Sequence, residues 1–172
     1  MQRWNIVGIS ALAAGLAMLP GGAIAQQKSF KDLVVGTWTL LIDDNIRDDG
    51  THVPSFGPNP NGTVIFTPDG HYSLQIIRSG RAPFASKDRL TGTADENKAA
   101  VQGMISHFGT YAIDEAGKSI TFRIEASSFP NWEATVQKRP VTAITDEVLT
   151  WNTPVPSTAG YVRSELAWKK AK

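Results

Sequence analysis

The chain has 172 residues, with 17 Lys and Arg against 16 Asp and Glu, and it contains no cysteine. The lack of cysteine excludes a disulfide framework and a thiolate metal site. The balance of charge leaves no electrostatic basis for binding nucleic acid, and the lysines near the C-terminus are typical of a solvated tail.

The first 25 residues have the pattern of a secretory signal peptide. Arg3 precedes an apolar run from Ile6 to Leu19, which is followed by Pro20-Gly21-Gly22 and by the small-residue sequence Ala23-Ile24-Ala25. A membrane anchor is the alternative, but the run is shorter than the roughly 18 residues that cross a bilayer. We therefore expect cleavage after Ala25, a secreted or periplasmic product without an integral membrane span, and one domain over residues 26–172.

The segment after this leader predicts a strand and then a long loop. Residues 33–42 are rich in strand-forming side chains, which predicts a first strand over 35–45. Residues 47–61 contain three prolines, two glycines and two asparagines, a composition that favours a loop. A loop of this length in a compact domain commonly forms the lid or rim of a site.

A hairpin and a second long connection follow. Two alternating apolar runs, 62–67 and 71–78, flank Pro68-Asp69-Gly70, in which proline presets the turn and glycine supplies the positive φ. Residues 79–92 are rich in Gly, Pro, Ser and charged residues and predict another loop.

A helix is predicted from about residue 94 to residue 107. Thr93 to Glu96 has the pattern of a capping box, and apolar residues then recur at helical spacing. Because so short a helix must bury its apolar stripe, we expect it to cover one end of the fold, with ligand entering beside it. The side chains expected to face inward are those of Val101, Met104, Ile105 and Phe108.

The remainder of the chain predicts short strands joined by tight turns. Their expected ranges are 110–114, 119–127, 133–144, 147–153 and 160–169, which brings the number of strands to eight. The predicted fold is all-β, an eight-stranded antiparallel barrel with one short mid-chain α-helix, because closure removes exposed sheet edges. A two-sheet sandwich is the alternative.

Several motifs along the chain resemble those of a known family. Gly36-Thr37-Trp38 resembles the Gly-x-Trp signature of the lipocalins. The wider pattern is similar to the bacterial and fungal lipocalin-like domain family over residues 33–170. It comprises Val35 to Leu40, Phe56 to Gly62, Phe66 to Ser73, Ala99 to Gly103, Phe108 to Tyr111, Phe129 to Trp132 and Ser164 to Trp168. The resemblance implies a calycin-like barrel with structural roles for Trp38, which would close one end under the last strand, and for Trp168.

Alternation along the strands predicts a mostly apolar interior with a few polar groups. Such a wall suits a small hydrophobic or amphipathic ligand, although a barrel of this size can also be filled by its own side chains. The inward set includes Ile42, Ile113, Val162 and the apolar residues of the hairpin. The candidate ligand-binding residues are Tyr72, Arg78, His107, Tyr111, Phe122 and Trp132.

The sequence contains few signals of catalysis. His52, His71 and His107 lack the spacing of metal ligands, and neither a Gly-x-Ser-x-Gly elbow nor a phosphate-binding loop is present. His107 is expected at the end of the helix, as a cation that favours the helix dipole or as a general acid or base. We expect neither metal nor cofactor.

Three functions are consistent with these patterns. The first is a module that binds a small hydrophobic or amphipathic molecule. The second is an isomerase or cyclase that acts on a hydrophobic substrate in the same cavity, which convergence of at least two of Tyr72, Arg78, His107 and Tyr111 would favour. The third is a filled barrel that binds other proteins through an outer apolar patch.

Overall fold

The computed structural model describes residues 28–172. The predicted signal peptide over residues 1–25 lies outside these residues. The helices are α1 (Phe30–Val34) and α2 (Ala94–Gln102). The strands are β1 (Gly36–Ile46), β2 (His52–Pro54), β3 (Asn61–Phe66), β4 (His71–Ile77), β5 (Met104–Asp114), β6 (Ser119–Ser127), β7 (Val136–Ile144), β8 (Val148–Thr153) and β9 (Arg163–Lys170).

The strands form a closed antiparallel barrel. Eight of them pair in the order β1-β3-β4-β5-β6-β7-β8-β9, and pairing of β1 with β9 closes the ring. The extra strand β2 pairs with the last residues of β1, from Asp44 to Ile46. The predicted barrel is confirmed and the sandwich is excluded, because a sandwich would leave the sheet open.

The helix prediction was wrong at its C-terminal end. Helix α2 begins with the predicted capping box between Thr93 and Glu96, but it ends at Gln102. Met104 and the residues after it belong to β5, where they pair with β4 from Ile77↔Met104 to His71↔Thr110. Inward side chains therefore alternate at Ile105 and His107, whereas Phe108 points outward and is 51% exposed.

A bulge in β1 changes which residues face the interior. The register with β9 shifts between Leu40 and Ile42, so that two consecutive residues lie on the outer side. Leu41 and Ile42 are 52% and 48% exposed, while Asp43 is only 7% exposed. The expectation that Ile42 faces inward was therefore wrong, and the bulge turns Asp43 and Asn45 toward the interior instead.

Helix α1, which the sequence did not predict, closes one end of the barrel. Its capping box joins Ser29 and Asp32, and the Glu115 carboxylate accepts hydrogen bonds from the amides of Phe30 and Lys31 at 3.2 and 3.1 Å. Phe30 and Val34 are buried in the core. The indole Nε1 of Trp38 donates to the Val34 carbonyl at 2.8 Å, which ties this helix to the barrel wall.

The Gly-x-Trp signature has a steric basis at this closed end. Gly36 has a φ of 129°, and a Cβ there would lie 2.9 Å from Cε of Lys170. The Lys170 ammonium lies 4.3 Å from the centre of the fully buried Trp38 ring and donates to the Leu33 carbonyl at 2.9 Å. Glycine therefore allows the lysine to seal the end of the barrel over the tryptophan.

Candidate functional site in the open end of the barrel

The barrel is filled in one half and hollow in the other. Next to the closed end, rings of Phe66, Phe122, Trp151 and Trp168 pack at centroid distances of 5.1 to 6.3 Å. Beyond them lies a cavity of about 440 Å³ that opens at the other end. Its volume falls in the roughly 300–1,000 Å³ range of small-molecule sites.

The wall of this cavity combines apolar and polar side chains. Leu74, Ile76, Ile105 and Leu166 contribute aliphatic surface from three strands, and the segment after β6 contributes aromatic rings. The mouth is formed by the β1–β3 connection, the end of α2 and the β8–β9 loop. The residues at these positions are Ser55, Phe56, Arg78, Val101, Gln102, Met104, Ser128, Phe129, Trp132, Pro156, Ser157 and Thr158.

Four buried side chains form the floor cluster of the cavity: Tyr72, His107, Phe122 and Arg139. The Arg139 guanidinium stacks on the Phe122 ring, 4.5 Å from its centroid, and lies 5.8 Å from the centre of Trp132. Its Nη2 donates to Oε1 of Gln137 at 2.9 Å and lies 3.4 Å from Nε2 of His107. The cluster thus places a cation at the bottom of a cavity of mixed apolar and polar lining.

The hydrogen bonds of His107 determine its tautomer. Nδ1 of His107 lies 2.8 Å from the Tyr72 hydroxyl, and a guanidinium can only donate. Because Nε2 accepts from Arg139, the ring proton lies on Nδ1 and is donated to the Tyr72 oxygen. Burial, followed by the nearby Arg139 charge, lowers the pKa of His107 well below its usual value, so the ring is neutral.

Two ionisable groups with shifted pKa values line the cavity. Burial raises the pKa of Asp43 to about 6, although a hydrogen bond from the Ser55 hydroxyl and the charge of Arg139 oppose the shift. Burial lowers the pKa of Arg139 to about 10, which leaves the guanidinium charged at neutral pH. Asn45 accepts a hydrogen bond from the Ser164 hydroxyl at 2.7 Å beside them.

Comparison with known proteins agrees with this architecture. Residues 35–171 match the family model described as a lipocalin-like domain. The chain belongs to this family.

Three similar proteins illustrate the range of the likeness. The 4'-hydroxy-3'-methoxypropiophenone carrier protein ppsC of Aspergillus oryzae is 27% identical over 106 residues, which cover 57% of this chain and 95% of that protein. A lipocalin-like protein from Bacteroides uniformis has 16% identity and a TM-score of 0.42, over 80% of this chain and 97% of its own. A redesigned β-barrel has 12% identity and a TM-score of 0.42, and the likeness covers 84% of this chain and 100% of that barrel.

The lipocalin-like barrel brings five of the six predicted ligand-binding residues to one region. Arg78, His107 and Trp132 line the cavity. Tyr72 and Phe122 lie beneath it, against the ring of His107. Tyr111 is placed elsewhere: its hydroxyl donates to the Thr67 carbonyl at 2.8 Å, and its ring packs on Phe66.

Other predicted inward residues lie at the surface or the rim. Val162 is 49% exposed, because it precedes β9 rather than belonging to it. Helix α2 buries none of its side chains and so does not plug the barrel, although Val101 and Gln102 reach the mouth. The apolar stripe expected on one helix is instead divided between the end of α2 and the start of β5.

The sequence analysis did not identify three polar residues of the cavity wall, Arg139, Asp43 and Asn45. Arg139 lies between Lys138 and Pro140, a context typical of a solvated strand edge, and only its alternation with the exposed Lys138 could have placed it inside. Asp43 and Asn45 became inward residues through the bulge, which left no clear signal. Thr153 and Ser164 add two more buried polar side chains to this wall.

A second, larger depression lies outside the barrel. It has a volume of about 790 Å³ and runs between α2 and the 81–84 segment. Its polar residues, among them Arg81 and Asp95, are exposed, so it lacks the buried polar groups of the barrel cavity. Within residues 28–172 there is no helix that is both long and apolar enough to cross a membrane, and no metal-binding cluster of acidic and His side chains.

Proposed function

We propose that this lipocalin-like protein binds and carries a small amphipathic molecule, with an aromatic or otherwise apolar body, in the open half of its barrel. The observation that carries the proposal is the cavity of about 440 Å³, whose aliphatic and aromatic wall ends on buried polar groups. Such sites bury the apolar body of a ligand and orient it with a few fixed polar contacts. The name of the Aspergillus oryzae relative, a carrier of an aryl ketone, supports the same class of ligand.

Titration calorimetry with 4'-hydroxy-3'-methoxypropiophenone tests the proposal. The wild-type protein is expected to bind this ketone in a one-to-one complex. Ile105→Trp places a bulky ring in the cavity and should weaken binding at least about tenfold, or about 1.4 kcal/mol. Phe108→Trp is the matched control, because its side chain lies on the same strand but on the outer face.

Two results would count against carriage in the barrel. One is the absence of binding by the wild-type protein. The other is equal weakening by the inward and outward variants, which would show that the ketone binds outside the cavity.

We also propose that the protein acts outside the cytoplasm, after removal of residues 1–25. The proposal rests on the charged, apolar and small-residue parts of that segment. Intact-mass measurement of the protein recovered from its host should give a chain that begins at Gln26. A mass that retains residues 1–25 would contradict export by cleavage.

A second candidate function is an isomerase or cyclase in the same cavity. It is favoured by the linked side chains of Tyr72, His107 and Arg139, since a cation beside a phenol and an imidazole could stabilise an enolate. However, the His107 lone pair is directed to Arg139, so the remaining candidate base in the cavity is Asp43, whose pKa burial raises to about 6. Proton NMR in D₂O tests this: protein-accelerated exchange of the ketone's α-protons, abolished by Tyr72→Phe, would establish catalysis, and an unchanged rate would exclude it.

A further inference from the structure

The Arg139 guanidinium is a buried cation without an acidic partner. The side chain is 2% exposed, its Nε makes no hydrogen bond, and no carboxylate of residues 28–172 lies within ion-pair distance of it. Residues 1–27 contain no Asp or Glu that could supply one. The guanidinium is contacted by the Gln137 amide oxygen, by His107 and by the faces of two aromatic rings, and the more distant Asp43 carboxylate compensates its charge only in part.

Such an arrangement is unfavourable unless another group completes it. Removing a cation from water has a large desolvation cost, and buried charges in proteins are therefore normally paired. Asp43 also lines the cavity, but its carboxylate lies beyond ion-pair distance and is hydrogen-bonded to Ser55 at 2.9 Å. The cavity between them is open to a ligand.

We propose that the ligand carries an anionic oxygen, either a carboxylate or an ionised phenol, and that Arg139 binds this oxygen at the floor of the cavity. The inference rests on the proposed carrier function and specifies the chemical class of its ligand. The guanidinium donates to the oxygen from below, and the apolar body of the ligand lies against Trp132 and Leu166, which both line the cavity. Arg139 therefore selects among molecules that the apolar wall alone would accept equally.

A matched pair of probes tests this selection. 3,4-Dimethoxybenzoate and its methyl ester share a ring that has no ionisable phenol, but at pH 7 only the first has a carboxylate. Wild-type protein should bind the carboxylate at least about tenfold more tightly, the effect of one charge-assisted hydrogen bond. Arg139→Met should abolish this preference while retaining ester binding, whereas Arg123→Met, which removes an exposed cation from the outer face of β6, should leave the preference intact.

The outcomes separate the two proposals. Ester binding without a carboxylate preference, or a preference that persists in Arg139→Met, would overturn the inference and leave the carrier function standing. Failure of wild-type protein to bind either probe would overturn both. If Arg139→Met does not fold, the ¹⁵N-labelled wild type gives the answer: the Arg139 Nε–H resonance should shift with the carboxylate and stay in place with the ester, and equal or absent shifts would reject the assignment.

Discussion

The two ends of this barrel are built from different kinds of interaction. The closed end packs Phe30, Val34 and Trp38 into the apolar core, and Lys170 seals it from outside. The open end buries Asp43 and Arg139, whose charged forms are both disfavoured by burial. The comparison indicates that packing at the closed end stabilises the fold, whereas the buried ionisable groups of the open end lower its stability and provide a polar cavity. Substitutions at the two ends should therefore have effects of opposite sign.

The largest expected effect is at the closed end. Trp38→Ala should lower the free energy of unfolding by about 3–5 kcal/mol, since it removes a fully buried large aromatic side chain. Denaturant titration measures this, with Val136→Ala as the control because Val136 is 57% exposed on the barrel exterior. A loss below about 1 kcal/mol for Trp38→Ala would contradict its role in closing the barrel.

The opposite sign is expected for Asp43→Asn. The folded-state pKa of Asp43 is raised to about 6 from 3.8, so ionisation of this carboxyl destabilises the fold above pH 6 and the penalty disappears below pH 4. The neutral amide should therefore raise the free energy of unfolding by about 2–3 kcal/mol at pH 7.5. The gain should shrink as the pH falls through 6 and vanish near pH 4.

Asp44→Asn is the matched control for this pH profile. Its carboxyl is adjacent in sequence, but it lies on the outer side of β1 and contacts His52 at 3.2 Å. A gain for Asp43→Asn that is independent of pH, or a loss of stability at pH 7.5, would show that ionisation of Asp43 does not destabilise the open end.

A smaller effect is expected where the closed end meets solvent. Lys170→Met removes the donor to the Leu33 and Val35 carbonyls and the cation over Trp38, and should reduce stability by about 1–2 kcal/mol. Lys169→Met, which changes an exposed neighbour, should alter it by less than about 0.5 kcal/mol. Thermal unfolding compares the two, and equal shifts would reject the sealing role of Lys170.

Much of the barrel wall and part of the closed end could be predicted from the sequence, although helix α1 was not. The turn at Pro68-Asp69-Gly70 and the alternation in the strands that flank it determine the β3–β4 hairpin, with Phe66 paired to Tyr72. Gly36 and Trp38 belong to a local Gly-x-Trp motif that can be recognised from a single sequence. These features are local, so periodicity and turn chemistry are enough to reveal them.

The open end was harder to predict because its geometry depends on pairing between distant strands. The residues Met104, Ile105 and Phe108 fit a helical spacing, and only pairing with β4 shows that they belong to a strand. The bulge that turns Asp43 inward arises from the register with β9, more than 100 residues away in the chain. Arg139 similarly becomes part of a cavity only when the barrel closes.

A crystal structure of the complex with 4'-hydroxy-3'-methoxypropiophenone tests the central claim most directly. The account predicts the ring inside the open half of the barrel, against Trp132 and Leu166, with an oxygen directed toward Arg139. A ring located instead in the exposed groove between α2 and residues 81–84, with the barrel cavity unchanged, would contradict it.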